Sequence, residues 1–461
     1  MKIQAVLIIL LAAFLRLYEL GKVPLFYDES IHSYFANLVL KGAYSYNPAY
    51  HGPLLFYSVA PVIAFFGESE FTLRLIPAVL GTLFVASILL YRRFIGNSAI
   101  FAAIFAAVSP VIVNYSRFYR EDVYQLLFTS LAIYFILCYL EKKKSWKELK
   151  VDRDSLYLIF AAIFLAFFAS VKETFYIFAA LIAVYLALDL KRIRSSDLLI
   201  SAVVFLTIYL CMYSNFFTSA ISEFPAIKAI SYWKYQHDIA RISGPPYYFL
   251  ELLLLYDLPL LILAFIAVKR WLKERDEFKS MFIFLFFTNL IFYSYMQEKV
   301  PWLLVHIEFP MIMLAATAVG KRSFVLSTIY LLYGCVFLNF VNPVNPAEPA
   351  LYLPTQFDVK EARKFEGKIS IVARADEYWP LVWYLKGKKV YYSYVPDSDI
   401  IIANYIEASK IEGEWKKENL VVRCWTFWTN PSIEKIPEFL IFRKPLAEVY
   451  CLNFTIFRKI Y

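Results

Sequence analysis

Long apolar runs separated by short polar segments make up most of the chain, and eleven of these runs are long enough to cross a bilayer. Crossing a hydrocarbon core of about 30 Å takes roughly 20 residues of helix. The pattern therefore predicts eleven transmembrane helices, at about residues 3–20, 71–91, 98–114, 122–140, 156–171, 174–190, 198–217, 247–268, 280–296, 302–320 and 323–341. The apolar run from Pro53 to Phe66 is shorter and indicates an interfacial or re-entrant helix.

Basic residues predict the orientation of these helices, because short loops rich in Lys and Arg stay in the cytoplasm. If the run from Pro53 to Phe66 does not cross, the basic clusters fall on one side; they occupy residues 92–93, 142–153, 191–194, 269–279 and 321–322. We therefore predict a multi-pass protein of the cell membrane with its N-terminus inside and its C-terminus outside.

Composition agrees with a membrane protein and narrows the function. Apolar residues make up 60% of the chain, against about 45–50% in soluble domains. The net charge of +9 lies largely in the predicted cytoplasmic loops, so it marks topology and gives no support to nucleic-acid binding. The sequence has no Gly-rich phosphate-binding loop and no C-x-x-C pair, which argues against a nucleotide-binding core or a zinc ribbon.

The pattern changes after residue 341, and it divides the chain into a mainly α membrane domain and a small α/β domain. Residues 1–341 form the predicted membrane domain, and its long first external loop, residues 21–70, carries juxtamembrane helices. Several prolines in residues 342–356 predict a linker. Four short β-like runs, beginning at Lys368, Lys389, Asp399 and Leu420, and one helix at about residues 378–385 then predict an extracytoplasmic α/β domain in residues 357–461. Cys424 and Cys451 both lie in it, but spacing alone does not show whether they pair.

The polar residues gather at the predicted outer ends of the spans, which indicates a cavity open to the outside. The richest stretch includes Tyr27, Asp28, Glu29 and His32, and Asp28 and His32 share a face if the segment is helical. A carboxylate here could accept a proton from an attacking hydroxyl, or Asp28 and His32 could help to hold a divalent cation. The alternative is that the acidic pair caps a helix.

Two arginines and two acidic residues share one predicted external turn, Ser116 to Asp122. Arg117 and Arg120 could clamp a phosphate while Glu121 or Asp122 orients a partner. The alternative is a solvated turn whose charges pair with one another.

Further candidates for phosphate or sugar binding lie near other outer ends. Lys172, in a tight hairpin, could reach a lipid phosphate, although lysines near the membrane plane often only snorkel. Lys299 and His306 lie at the start of a predicted span, where an unpaired ionisable group is costly and so indicates function. His51 belongs to a His51-Gly52-Pro53 motif in the first external loop.

Taken in order, these motifs resemble the C-type membrane glycosyltransferases, the superfamily of protein O-mannosyltransferases and lipid A aminoarabinose transferases. Four segments carry a narrower resemblance, to the archaeal membrane family named for its association with flippase activity: YDESIHSYFANLVLKGAYSYNPAYHGPLLFY, SRFYREDVY, QEKVPWLLVH and EYWPLVWYLKG. The chain departs from the O-mannosyltransferase pattern where His51-Gly52-Pro53 replaces paired prolines.

The resemblance implies a sugar transfer. Because a site on the outer face meets almost no nucleotide sugar, we expect the donor to be a polyprenyl (dolichyl) phosphate sugar and the acceptor to be a glycan, lipid or protein. The resemblance implies Asp28 as general base and Glu121 or Asp122 as second carboxylate. It also implies that Lys172, Arg117 and Arg120 hold the donor phosphate. Two alternatives stay open: a non-catalytic flippase or flippase-associated protein for lipid-linked sugars, and a degenerate assembly subunit. No cofactor is certain from the sequence, which leaves open whether a divalent cation is needed.

Overall fold

The computed structural model describes residues 2–142, 152–187, 193–221, 224–239, 242–426 and 433–460. Its N-terminal part is a bundle of helices, which are α1 (Lys2–Leu17), α2 (Tyr27–Leu40), α3 (Leu54–Phe66), α4 (Glu70–Ile88), α5 (Arg92–Ile95), α6 (Ser98–Val108), α7 (Pro110–Ser116), α8 (Asp122–Leu140), α9 (Ser155–Ala169), α10 (Thr174–Ala187), α11 (Ser195–Tyr213), α12 (Pro225–Asp238), α13 (Tyr248–Tyr256), α14 (Leu258–Trp271), α15 (Glu277–Tyr295), α16 (Leu304–Ala318) and α17 (Lys321–Val336).

A helix lies at each of the eleven predicted spans, but the helices differ in length and continuity. Six of the described helical stretches are long and apolar enough to cross a membrane, and the number rises to eight if two bent pairs each count as one span. These pairs are α6 with α7, bent by 62°, and α13 with α14, bent by 106°. Helices α1, α9 and α10 are apolar but shorter. The chain is thus a multi-pass helical membrane protein, while the count of eleven and the orientation stay predictions.

The bundle packs around α16, which is almost wholly buried, whereas α1 and α11 present Leu and Val side chains at the surface. A mainly apolar helix that is buried on all sides suits the centre of a membrane bundle, and exposed apolar faces suit contact with lipid. Parts of two predicted basic loops, residues 143–151 and 188–192, lie outside the described residues.

The C-terminal part contains a five-stranded mixed sheet with the order β2-β1-β3-β5-β4. Its elements are β1 (Lys368–Val372), α18 (Leu381–Tyr384), β2 (Lys389–Tyr391), β3 (Ile400–Asn404), α19 (Tyr405–Ala408), β4 (Trp415–Thr426), α20 (Ile436–Phe442) and β5 (Val449–Lys459). Four strands agree with the predicted β-like runs, and β5 was not predicted. Cys424 and Cys451 face each other across β4 and β5 and form a disulfide.

The predicted linker is packed against the membrane helices and is not a free connection. The hydroxyl of Tyr256 donates to Glu348 at 2.5 Å, and the hydroxyl of Tyr115 donates to the carbonyl of Ala350 at 2.7 Å. Helix α18 also docks on the first loop, where the Tyr384 hydroxyl accepts the backbone N–H of Leu25 at 2.8 Å. The C-terminal sheet is therefore fixed above the first loop. The division at residues 342 and 357 stays a prediction.

Candidate active site

A cavity of about 440 Å³ opens between the first loop, the membrane helices and the C-terminal sheet. It is lined by Phe26, Tyr27, Asp28, Ile31, His32, Pro48, Ala49, Tyr50, His51, Arg120, Lys172, Glu173, Tyr232, Trp233, Gln236, Ile242, Glu298, Trp302, Tyr352, Leu353, Asp376 and Arg423. Six of the residues singled out from the sequence thus face one chamber, although they are far apart in the chain: Tyr27, Asp28, His32, His51, Arg120 and Lys172.

Helix α2 sends its two adjacent carboxylates in different directions, because neighbouring helical residues are about 100° apart. Asp28 points into the cavity and its side chain is 29% exposed. Glu29 is fully buried and accepts two hydrogen bonds from the Arg74 guanidinium, at 2.7 and 2.6 Å. Glu29 also accepts the backbone N–H groups of Phe26 and Tyr119. Although Glu29 was a catalytic candidate, its carboxylate is engaged in holding the loop together.

The turn between α7 and α8 is fixed against α2 at Tyr119. The Tyr119 N–H donates to Glu29 at 2.8 Å, and the Nδ1–H of His32 donates to the Tyr119 carbonyl at 2.8 Å. This places the next residues, Arg120, Glu121 and Asp122, beneath the cavity. Because the carbonyl takes the Nδ1 proton, Nε2 of a neutral His32 is left as a lone pair.

Arg120 joins three carboxylates at the floor of the cavity. Its guanidinium contacts Asp28, and it lies 3.0 Å from Glu121 and 3.1 Å from Asp122. The ring of Trp302 covers it, with its centroid 3.9 Å from Cζ. A guanidinium with several carboxylate partners and a stacked aromatic ring is held in a fixed orientation. Arg120 therefore connects the exposed Asp28 to the two buried carboxylates.

Lys172 reaches the same carboxylates from the hairpin between α9 and α10. Its Nζ contacts Glu121 and lies 3.7 Å from Asp122. The hairpin is held by the His51-Gly52-Pro53 segment, in which the N–H of Gly52 donates to the carbonyl of Val171 at 2.8 Å. A Cβ at residue 52 would lie 2.3 Å from the Ser170 oxygen, so only glycine allows this approach. The motif thus has a defined structural role.

The same hairpin orients His51. Its Nδ1 lies 3.4 Å from Glu173, and its Nε2 lies 3.5 Å from Glu121. One ligand atom from each of His32, His51 and Glu121 can be chosen so that all three lie within 4.8 Å of one another. Oε2 of Glu121 is buried without a hydrogen-bond partner among the described residues. Asp28, the other metal candidate from the sequence, belongs instead to the Arg120 cluster.

The electrostatics of the floor favour the charged forms of Glu121, Lys172 and His51. Burial would raise the pKa of Glu121, but Arg120, His51 and Lys172 outweigh burial and hold that pKa well below its usual range. Burial would lower the pKa of Lys172, but the two carboxylates raise it. For His51, Glu121 and Glu173 overcome burial and raise the pKa. Burial dominates at His32 and lowers its pKa to about 4.

Three predicted binding residues lie outside the cavity lining. Arg117 donates to the carbonyls of Leu15, Arg16 and Tyr18, so it caps the end of α1 and is not placed to clamp a phosphate. Lys299 donates to the carbonyls of Tyr293 and Ser294 at the end of α15. His306 is buried and stacks on Tyr293, with centroids 5.6 Å apart. These three residues belong to the same sequence motifs as residues that line the cavity. Their own side chains are directed into the bundle.

The C-terminal part adds residues that local sequence patterns did not identify. Arg423 on β4 lies over the Tyr27 ring, with Cζ 5.2 Å from the centroid, and donates to the carbonyl of Asp376 at 3.0 Å. Both Arg423 and Asp376 line the cavity. Their positions depend on sheet docking, and the only sequence signal is the EYWPLVWYLKG motif that follows Asp376 and carries the docking helix α18.

Comparisons with known proteins agree with this architecture. Residues 50–214 match the family model described as dolichyl-phosphate-mannose-protein mannosyltransferase. No curated protein matches the chain by sequence. The fold is similar to that of ArnT from Cupriavidus metallidurans bound to undecaprenyl phosphate, with a TM-score of 0.67, 13% identity, and coverage of 98% of this chain and 97% of that one.

A second solved structure extends the likeness. The Archaeoglobus fulgidus oligosaccharyltransferase, in complex with Zn and sulfate, aligns with a TM-score of 0.54 and 13% identity, over 87% of this chain and 68% of that one. Because both sequence identities are only 13%, these similarities show a shared fold and nothing further. The chain has the fold of the C-type membrane glycosyltransferases, as its motifs led us to expect.

Proposed function

We propose that the chain is an integral membrane glycosyltransferase that moves a sugar from a polyprenyl phosphate to an acceptor on the outer face of the membrane. One observation carries the proposal: Asp28, Arg120 and Lys172, from three distant parts of the chain, meet in a single open cavity. The family match over residues 50–214 and the ArnT-like fold support the same class of reaction.

Asp28 suits the role of general base. It is the most exposed carboxylate of the cluster, and Arg120 contacts only its Oδ2. Oδ1 makes no hydrogen bond to the part of the chain that the structure describes, so it can accept the proton of an acceptor hydroxyl. As this proton leaves, the hydroxyl oxygen bonds to the anomeric carbon. The bond from that carbon to the phosphate oxygen breaks, and the phosphate departs with the electron pair.

Arg120 and Lys172 suit the role of phosphate binders, because both line the cavity beside Asp28. Negative charge develops on the leaving phosphate in the transition state, and cations held in place stabilise it without reorganisation. Glu121 and Asp122 hold both cations from below. We assign these two carboxylates a positioning role and Asp28 the catalytic one. Glu29 and Arg117 shape the surrounding loops.

The acceptor approaches from the side of the C-terminal sheet. Tyr27, Arg423 and Asp376 line that side of the cavity, so a glycan, lipid headgroup or peptide meets aromatic and charged side chains there. An external cavity also fits a lipid-linked donor, since a polyprenyl carrier brings the sugar to the outer membrane face. The proposal therefore requires the sheet to lie on the extracytoplasmic side, the side that the basic loops predict for it.

The test is sugar transfer in proteoliposomes containing the full-length protein, radiolabelled dolichyl-phosphate mannose or other polyprenyl-phosphate sugars, and candidate acceptor lipids and proteins. We expect wild-type protein to label an acceptor and Asp28→Asn to lose transfer while it still folds. Asp397→Asn removes an exposed carboxylate that does not line the cavity and is the matched control. Equal transfer by wild type and Asp28→Asn would refute the assignment.

A further inference from the structure

The chain contains two N-glycosylation sequons, in which an asparagine is followed by any residue except proline and then by serine or threonine. They are Asn114-Tyr115-Ser116 and Asn453-Phe454-Thr455. A glycan is bulky and hydrophilic, so the asparagine that carries it must lie at the protein surface. The exposure of each asparagine therefore decides which sequon can be an acceptor.

The first sequon lies inside the helix bundle. Asn114 belongs to α7 and is only 4% exposed, and Tyr115 and Ser116 beside it are buried as well. The hydroxyl of Ser116 is engaged twice, because it donates to the carbonyl of Ile112 at 2.6 Å and accepts from Arg16 at 3.2 Å. A glycan on Asn114 has no space in the folded protein, so the fold excludes this sequon.

The second sequon lies at the surface of the C-terminal sheet. Asn453 is an exposed residue of β5, and its side-chain amide makes no hydrogen bond to the part of the chain that the structure describes. Strand β3 pairs with β5 only as far as Phe454. Residues 449–453 pair with β4 alone among the described residues, so the two strands project here beyond the sheet as a ribbon. Asn453 lies where this ribbon begins, and it is accessible there.

The strand register directs the Asn453 side chain away from the cavity. Directly paired residues share a face of the sheet, and successive residues of a strand point to opposite faces. Arg423, which lines the cavity, pairs with Leu452, whereas Asn453 pairs with Val421. Asn453 and Arg423 therefore lie on opposite faces. A glycan on Asn453 would leave the cavity open.

We infer that Asn453 is an N-glycosylation site, which an oligosaccharyltransferase at the outer face of the membrane modifies with a lipid-linked oligosaccharide. The amide nitrogen of Asn453 bonds to the anomeric carbon of the oligosaccharide and loses one proton. The bond from that carbon to the phosphate oxygen of the lipid carrier breaks, and the lipid phosphate leaves with the electron pair. The inference rests on the extracytoplasmic position of the sheet, which the proposed function also requires.

Mass spectrometry of the full-length protein, purified from the membranes of its source cells, tests the inference. We expect one oligosaccharide on the peptide that contains Asn453 and none on the peptide that contains Asn114. Asn453→Gln and Thr455→Ala, expressed in the same cells, should each lose the whole of that added mass, whereas Thr455→Ser keeps a sequon and should retain it. Asn419→Gln alters an exposed asparagine of β4 that is paired with Thr455 and belongs to no sequon, so it is the matched control and should keep the glycan.

An unmodified Asn453 peptide would overturn the inference, and so would a glycan that persists in Thr455→Ala. If Asn453→Gln fails to fold, Thr455→Ala still decides the question, because it leaves Asn453 in place. An epitope tag added after Tyr461 separates this result from the proposed function. Antibody binding to the tag on intact cells, together with an unmodified Asn453, would refute glycosylation alone. A tag that is detected only after permeabilisation would refute both, because the sheet would then lie in the cytoplasm.

Discussion

The backbone of Gly52 pairs with that of Val171, N–H to carbonyl at 2.8 Å, and this contact brings the first loop to the hairpin that carries Lys172. It brings His51 and Lys172 to the same carboxylate oxygen of Glu121, Oε1. Two segments separated by more than a hundred residues thereby become one wall of the cavity.

Replacing Gly52 with alanine should disrupt this wall. Its Cβ would lie 2.3 Å from the Ser170 oxygen, and overpacking of this kind costs about 1–3 kcal/mol. We expect a lower unfolding temperature in detergent and reduced sugar transfer. Gly320→Ala, whose nearest neighbour would be 3.8 Å away, is the control and should be close to wild type. Equal unfolding temperatures for the two variants would contradict the prediction.

Substitutions of Glu29 and of Asp28 should have different effects, the first on the stability of the protein and the second on sugar transfer. Glu29→Gln leaves the buried Arg74 without its charge partner, and loss of one member of a buried pair typically costs about 3–5 kcal/mol. We expect Glu29→Gln to lower the unfolding temperature markedly, whereas Asp28→Asn should affect mainly transfer. Thermal unfolding of both purified variants measures this, with the exposed Glu361→Gln as control. A Glu29→Gln protein as stable as wild type would argue against its structural role.

Lys172→Met should lower the rate of transfer about 100- to 1,000-fold, the loss seen when one preorganised donor to a developing anion is removed. The measurement is initial rates in proteoliposomes at saturating donor. Lys410→Met, at an exposed lysine paired with Glu407, controls for loss of charge alone. If Lys172→Met keeps its rate, the amine does not stabilise the leaving phosphate.

Arg423→Gln should change how the acceptor binds. Arg423 lies over Tyr27 at the sheet side of the cavity, and an exposed cation–π contact contributes about 0.5–1 kcal/mol. We expect the KM for the acceptor to rise roughly 2- to 5-fold, with the KM for the donor unchanged. Arg374→Gln, at an exposed arginine, is the control. An effect on the donor alone would place Arg423 on the other side of the reaction.

Asp257→Asn should distinguish an enzyme from a transporter. Asp257 is fully buried at the break between α13 and α14, beside Glu308, and it is not among the residues that line the cavity. If the chain is an enzyme, Asp257→Asn keeps transfer and Asp28→Asn loses it. Comparing transfer with the flux of a fluorescent lipid-linked sugar measures this. Loss of flux only in Asp257→Asn would favour the flippase alternative.

Sequence alone identified the apolar helices, four of the five strands and several of the charged residues that meet in the cavity. Hydrophobic periodicity is a local property, and a long apolar run has few structures available to it in a bilayer. Asp28, Arg120 and Lys172 were recognisable because charged residues at span ends are costly unless they pair or function. The bends within α6–α7 and α13–α14 were not predicted, because each predicted apolar run continues across the position of the bend.

Tertiary structure alone decided which of the charged candidates face the cavity. Asp28 and Glu29 are adjacent and chemically alike, yet Arg74 and the Tyr119 N–H bind one and leave the other exposed. Arg117 and Arg120 differ in the same way, since one caps α1 and the other joins three carboxylates. A side chain's direction and partners depend on segments distant in the chain, so spacing in one sequence fixes which residues are available but not which of them meet.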